Sequence, residues 1–167
     1  MIESATSPVA KTERIWCTEL DLDALNAMSA NTMQALLGIR MIEIGSDYLV
    51  SCMSVDWRCH QPYGVLHGGA SVTLAEATGS MAASMCVPAG QRCVGLDINA
   101  NHIASISSGQ VQCIARPLHI GALTQVWQMR IYDEGDRTIC VSRLTMAVLS
   151  VHVARVSPNP ASSGVQT

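Results

Sequence analysis

Residues 61–87 read QPYGVLHGGASVTLAEATGSMAASMCV, and this stretch decides the fold. From residue 68 to residue 87 it predicts one helix, stopped by Pro88 and Gly90. Between Arg58 and Arg92 the only formally charged side chain is Glu76, set among Val72, Leu74, Ala75, Ala77 and Met81. A helix apolar on nearly every side is usually buried, and an ionised carboxylate inside it is costly without partners. Thr73, Glu76, Ser80 and Ser84 recur at helical spacing, so the polar groups share one stripe.

On either side of this helix the pattern changes to strands. Upstream, residues 39–44 and 48–55 read as strands separated by the turn Gly45-Ser46-Asp47, and residues 20–29 read as a short helix with Leu20, Leu22, Leu25 and Met28 on one side. Residues 56–67 form a polar loop containing Pro62 and Gly64. Downstream come four strand-like stretches, 92–103, 110–118, 122–132 and 138–149, divided by Gly109, Gly121 and Asp133-Glu134-Gly135-Asp136. Short connections between consecutive strands imply antiparallel pairing, and an apolar helix within that order must be covered by the sheet. The expectation is an α+β fold, a curved antiparallel sheet wrapped around a central helix. It would span residues 15–153, with residues 1–14 and 154–167 as flexible ends.

With 167 residues, 49% hydrophobic and 14% charged, the chain suits one domain with a sizeable core. So uncharged a surface suggests that a second copy covers part of it. Net charge is −3 with no cluster of Lys and Arg, so no nucleic-acid surface is expected. No apolar run reaches the length of a membrane span. Seven cysteines are scattered without a C-x-x-C pair, and no secretory leader is expected ahead of them. Small core residues of a cytoplasmic protein, with no metal and no cofactor, are the expectation.

The residues just ahead of the helix carry chemistry. Gly68 and Gly69 allow another group close to the backbone, and the free N–H groups of a first helical turn suit a carbonyl or an oxyanion. Gln61 adds a side-chain amide, and His67 stands immediately before the glycine pair. Taken singly, each of these residues also has an ordinary structural explanation.

Together they resemble a known signature. The run QPYGVLHGGASVTLAEATGS is similar to that of the PaaI-like branch of hotdog-fold acyl-CoA thioesterases, and within it to the subgroup of naphthoyl-CoA hydrolases and enterobactin proofreading thioesterases. Leu22-Asp23-Ala24-Leu25-Asn26, the stretch VGLDINANH at 94–102, and Pro117-Leu118-His119-Ile120-Gly121 resemble the same subgroup, so the likeness covers residues 20–149. It implies hydrolysis of an acyl-CoA, with an aromatic acyl group, at a site shared across a homodimer or homotetramer. Gln61 and His67 would lie near the thioester carbonyl, and the Gly68 N–H would polarise it. Glu76 of the facing copy would act as general base or as nucleophile, held by Ser80. Gly69, Tyr63, Met81, Val94, His102 and His119 would contact substrate.

Two departures from that pattern stand out. Ile103-Ala104-Ser105-Ile106-Ser107-Ser108 lacks the basic residues that follow N-x-N-H in relatives, leaving Arg116, His102 and the His119 loop as candidates for the CoA phosphates. The chain has no Phe, so an aromatic pocket would rely on Met, Leu, Trp and Tyr. The alternatives are an acyl carrier protein as the thioester's carrier and a non-catalytic acyl-CoA-binding module. The hydratases of this fold use an Asp that has no counterpart between Asp56 and Asp97.

Overall fold

The computed structural model describes residues 13–19 and 21–151. The expectations placed on residues 1–12, on Leu20 and on residues 152–167 lie outside them.

A long helix, α3 (Gly68–Met85), lies in the concavity of a six-stranded sheet. The strands are β1 (Arg40–Ile44), β2 (Leu49–Ser54), β3 (Gln91–His102), β4 (Gln110–Ile120), β5 (Thr124–Asp133) and β6 (Thr138–Ser150). Their order is β1-β2-β4-β5-β6-β3, and every neighbouring pair is antiparallel. The connection through α3 sends β3 to the far edge of the sheet, and the next one returns to β4 beside β2. This is the hotdog fold.

The packing follows from residue size. Ala70, Ser71, Leu74, Ala75, Thr78, Gly79, Ala82 and Ala83 are buried along α3, so mostly small side chains meet the sheet and let the helix backbone sit close. Beneath them Trp127, Met129, Ile131, Leu144 and Met146 are almost fully buried, each side chain of this kind contributing about 1.5–3 kcal/mol. Trp16 stacks on Trp127 with ring centroids 6.4 Å apart. Of the buried polar groups there, Trp127 Nε1 donates to Gln125 Oε1 at 2.9 Å and Gln125 Nε2 to the Ala83 carbonyl at 3.3 Å, while the Ser142 hydroxyl is buried without a partner among the described residues.

The short helix α1 (Leu22–Met28) starts where Asp21 Oδ1 accepts from the Ala24 N–H at 2.8 Å. A second one, α2 (Met33–Leu37), stops at Gly38 with φ +72°. Periodicity in the sequence did not show α2, because five residues cover little more than one turn. Thr32 before it and Gly38 after it are the cap signals that could have marked it. A 3₁₀ turn at Trp57–Cys59 likewise sits inside the stretch read as loop.

Cys52, Cys59, Cys86, Cys113 and Cys140 are buried. Desolvation by burial pushes the Cys86 and Cys113 thiols up to about 12, which makes them packing groups and not nucleophiles. No helix among the described residues is long and apolar enough to cross a membrane.

Candidate active site

The loop ahead of α3 is pinned from both sides. The Leu66 N–H donates to the Ile106 carbonyl and the His67 N–H to the Cys59 carbonyl, each at 2.8 Å, while the Gln61 N–H closes on the Val65 carbonyl at 2.9 Å. His67 is the N-cap of α3, and its Nδ1 accepts from the Gly69 N–H at 2.8 Å. A neutral ring in that contact carries its proton on Nε2.

The Gly68 N–H has no acceptor among the described residues. A Cβ on Gly68 would lie 2.8 Å from His102 Nε2, and one on Gly69 would lie 3.0 Å from His67 Nδ1. Two imidazoles therefore crowd the glycine pair, which accounts for its lack of side chains. A cleft of about 380 Å³ opens here, lined in part by Gln61, Gly68, Ser71 and His102. The Gln61 side-chain amide, half-buried, has no hydrogen bond among the described residues. This end of α3 thus presents two unused donors, a backbone N–H and a carboxamide, flanked by His67 and His102.

Glu76 stands eight residues further along, about 12 Å at the rise of an α-helix. It lies on the face of α3 that the sheet leaves open, in a separate cleft of about 250 Å³ that also includes Met33, Gln34, Thr73, Ala77 and Ser80. Sequence reasoning expected this carboxylate to be buried with partners. In the single chain it is exposed and makes no hydrogen bond among the described residues, because the apolar surface of α3 turns toward the sheet and the polar stripe turns away. Thr73 and Ser84 bond back to the carbonyls of Gly69 and Ser80, and the Ser80 hydroxyl contacts Met146 Sδ at 3.8 Å instead of the carboxylate. Across from Glu76, its Oε1 would stand 3.3 Å from a Cβ added to Gly95, at the bulge of edge strand β3.

The sequence matches a known family. A model of the thioesterase superfamily matches residues 63–140. Over 135 residues the chain is 50% identical to the 1,4-dihydroxy-2-naphthoyl-CoA hydrolase of Escherichia coli strain K12, covering 81% of this chain and 99% of that protein. This chain belongs to the thioesterase superfamily. The proofreading thioesterase of Cronobacter sakazakii is 48% identical over 135 residues, 81% of this chain and 98% of its own. The crystal structure of a thioesterase from Haemophilus influenzae superposes with a TM-score of 0.82 at 43% identity, covering 86% of this chain and 99% of that one. The hotdog thioesterase described here is accordingly a thioester hydrolase.

Within this thioesterase the residues singled out from sequence fall into three groups. Gln61, Gly68 and His102 share one cleft, with His67 and Gly69 at its helix cap. Glu76 and Ser80 share the other. Tyr63 is 88% exposed and His119 is exposed on β4, and neither lines either cleft. Met81 and Val94 are half-buried, with Met81 packed on the core. Arg116 is engaged with Asp47 at 2.8 Å and lies over the Tyr48 ring. Met33, Gln34 and Gly95, which sequence reasoning passed over, stand beside Glu76. Among the described residues no three His, Cys, Asp or Glu side chains are grouped to hold a metal ion.

Proposed function

We propose that this thioesterase hydrolyses an aromatic acyl-CoA, with Glu76 as the reacting carboxylate and Gln61, His67 and Gly68 holding the thioester carbonyl. The observation that carries this reading is the pairing of opposite chemistries on one helix: unused donors at its N-terminus and an unpartnered carboxylate two turns later. Hydrolysis builds negative charge on the carbonyl oxygen, and preorganised donors at that oxygen lower the barrier. Water becomes a nucleophile when Glu76 takes its proton, or the carboxylate attacks directly and water then cleaves the anhydride. The thiolate leaves readily, so no strong general acid is required.

Donors and carboxylate lie in separate clefts of one copy, which supports a site completed by a second. Two chains with antiparallel α3 helices would bring the Glu76 of each level with the Gly68 of the other. The free edge of β3, twelve residues long, offers hydrogen-bonding groups along which such a pair could join. The aromatic acyl group is supported by the naphthoyl-CoA substrate in the name of the Escherichia coli relative.

The test is a hydrolysis panel of aromatic acyl-CoAs, aliphatic acyl-CoAs and acylated carrier proteins, read as kcat/KM. Preference for the aromatic CoA esters is the expected result. Preference for the aliphatic esters or for carrier-bound ones would replace the substrate assignment.

A further inference from the structure

Beside Glu76, helix α2 forms the outer wall of the 250 Å³ cleft through Met33 and Gln34. Sites that enclose whole drug-sized ligands run to about 300–1,000 Å³, so this cleft suits an acyl group without its carrier. Its wall is partly apolar: Met33 is 60% exposed, a flexible thioether with little packed on it, and such a side chain adapts readily to a ring.

The polar groups of this cleft differ in what they have left to offer. Thr73 spends its hydroxyl proton on the Gly69 carbonyl, and Ser80 turns its hydroxyl to Met146. Gln34 is anchored at one end only. Its Oε1 accepts from Ser29 Oγ at 2.6 Å, and Ser29 is itself buried and held through its carbonyl by Thr32 Oγ1 at 2.6 Å. With the carbonyl end fixed, the Nε2 end has a restricted direction, two N–H groups and no partner among the described residues. A donor held in place by its neighbours is what recognition of a polar substituent requires.

We propose that Gln34 is a specificity-determining residue: its amide donates to a hydroxyl or carbonyl oxygen on the ring of an aromatic acyl group seated between Met33 and Glu76. This rests on the reading of Glu76 as the reacting carboxylate, since the ring must lie beside the carbon that Glu76 serves. The amide selects for the oxygen because water must be displaced from it when the ring enters, and an unsubstituted ring leaves it unpaired.

The experiment compares benzoyl-CoA with its 2-, 3- and 4-hydroxy derivatives in the wild-type enzyme and in Gln34→Leu. The wild type should prefer at least one hydroxybenzoyl ester by about tenfold in kcat/KM. Gln34→Leu should lose that preference, with the fall in kcat/KM confined to the hydroxybenzoyl esters and benzoyl-CoA, which no longer leaves an amide unpaired, turned over no worse than by the wild type. Ser29→Ala, which releases the anchored end, should erode the preference in the same direction, and Gln34→Met provides a second replacement of similar length. An equal fall on both kinds of ester would mean that Gln34 serves Glu76 and not the ring, and would overturn the proposal. So would an unchanged ratio, a wild type indifferent to ring hydroxyls, or a wild type that hydrolyses none of these esters. Glu76→Gln is assayed alongside on benzoyl-CoA. Full turnover there would remove the reading of Glu76, whatever ratio the Gln34 variants show.

Discussion

The Glu76 carboxylate rests against Gly95, where Oε1 would lie 3.3 Å from an added Cβ. The contact joins the middle of α3 to the bulge between Gly95 and Asp97 on the edge strand. Gly95→Ala should therefore push the carboxylate by a few tenths of an ångström. A misplacement of that size should lower kcat roughly three- to tenfold, with the melting temperature little changed. Wild-type kcat in this variant would show that the position of the carboxylate is not critical.

Glu76→Gln removes the base and keeps the shape. Because Glu76 is exposed and unpartnered in the single chain, the stability change should stay within about 0.5 kcal/mol. The kcat should fall about 100-fold or more, with KM largely kept, as expected for a group that acts in the transition state. Steady-state kinetics beside a thermal melt check both halves.

Completion of the site by a second copy has a distinctive signature. Glu76→Ala and His67→Ala should each be nearly inactive alone. A mixed dimer of the two holds one intact site and one doubly damaged site, so an equal mixture after random exchange should regain about a quarter of the wild-type rate. Exchange would be confirmed by mass spectrometry of differently tagged chains. No recovery after confirmed exchange would place the whole site within one chain.

Close packing of α3 on the sheet is tested at Gly79. A Cβ there would meet Leu144 Cδ2 at 2.9 Å and Met129 Sδ at 3.1 Å. Gly79→Ala gains helix propensity but overpacks a filled interior, and should cost about 1–3 kcal/mol. Thermal melts at one fixed protein concentration would register the loss, and a raised melting temperature would contradict it.

Acid should weaken the loop that carries Gln61. The side-chain hydrogen bond from Arg58, then its backbone N–H, hold the Asp56 carboxyl at about 2, below its ordinary range. A carboxylate with a depressed folded value stabilises fully above its unfolded value, near pH 4, and this contribution is lost as pH falls through the folded value. The gap in melting temperature between wild type and Asp56→Asn should be constant above about pH 5 and close between about pH 4 and pH 2. A gap independent of pH would break the link to ionisation.

Much of the architecture was legible because strands and helices carry different periods. The run 68–87 is too long and too apolar for an exposed helix, and the glycines and acidic turns between the later stretches mark antiparallel connections. Strand bounds moved by at most two residues. One two-residue shift carried β4 across a bulge between Pro117 and His119 to Ile120, and another moved the start of β5 to Thr124. Helix α2 escaped, as a segment of little more than one turn has no period to show.

What the sequence by itself determined is the order of elements, the isolation of Glu76 among apolar residues, and the H-G-G start of its helix. These are local properties of neighbours along the chain. Only the tertiary structure decided the rest: that α3 turns Glu76 away from the sheet, that the donors and the carboxylate open into different clefts, and that Gly95 and Gln34 stand beside the carboxylate. The sheet order sends β3 to the far edge, and α2 is brought against α3 from more than thirty residues away. Contacts of that kind depend on how faces meet in space, which no spacing along one segment records.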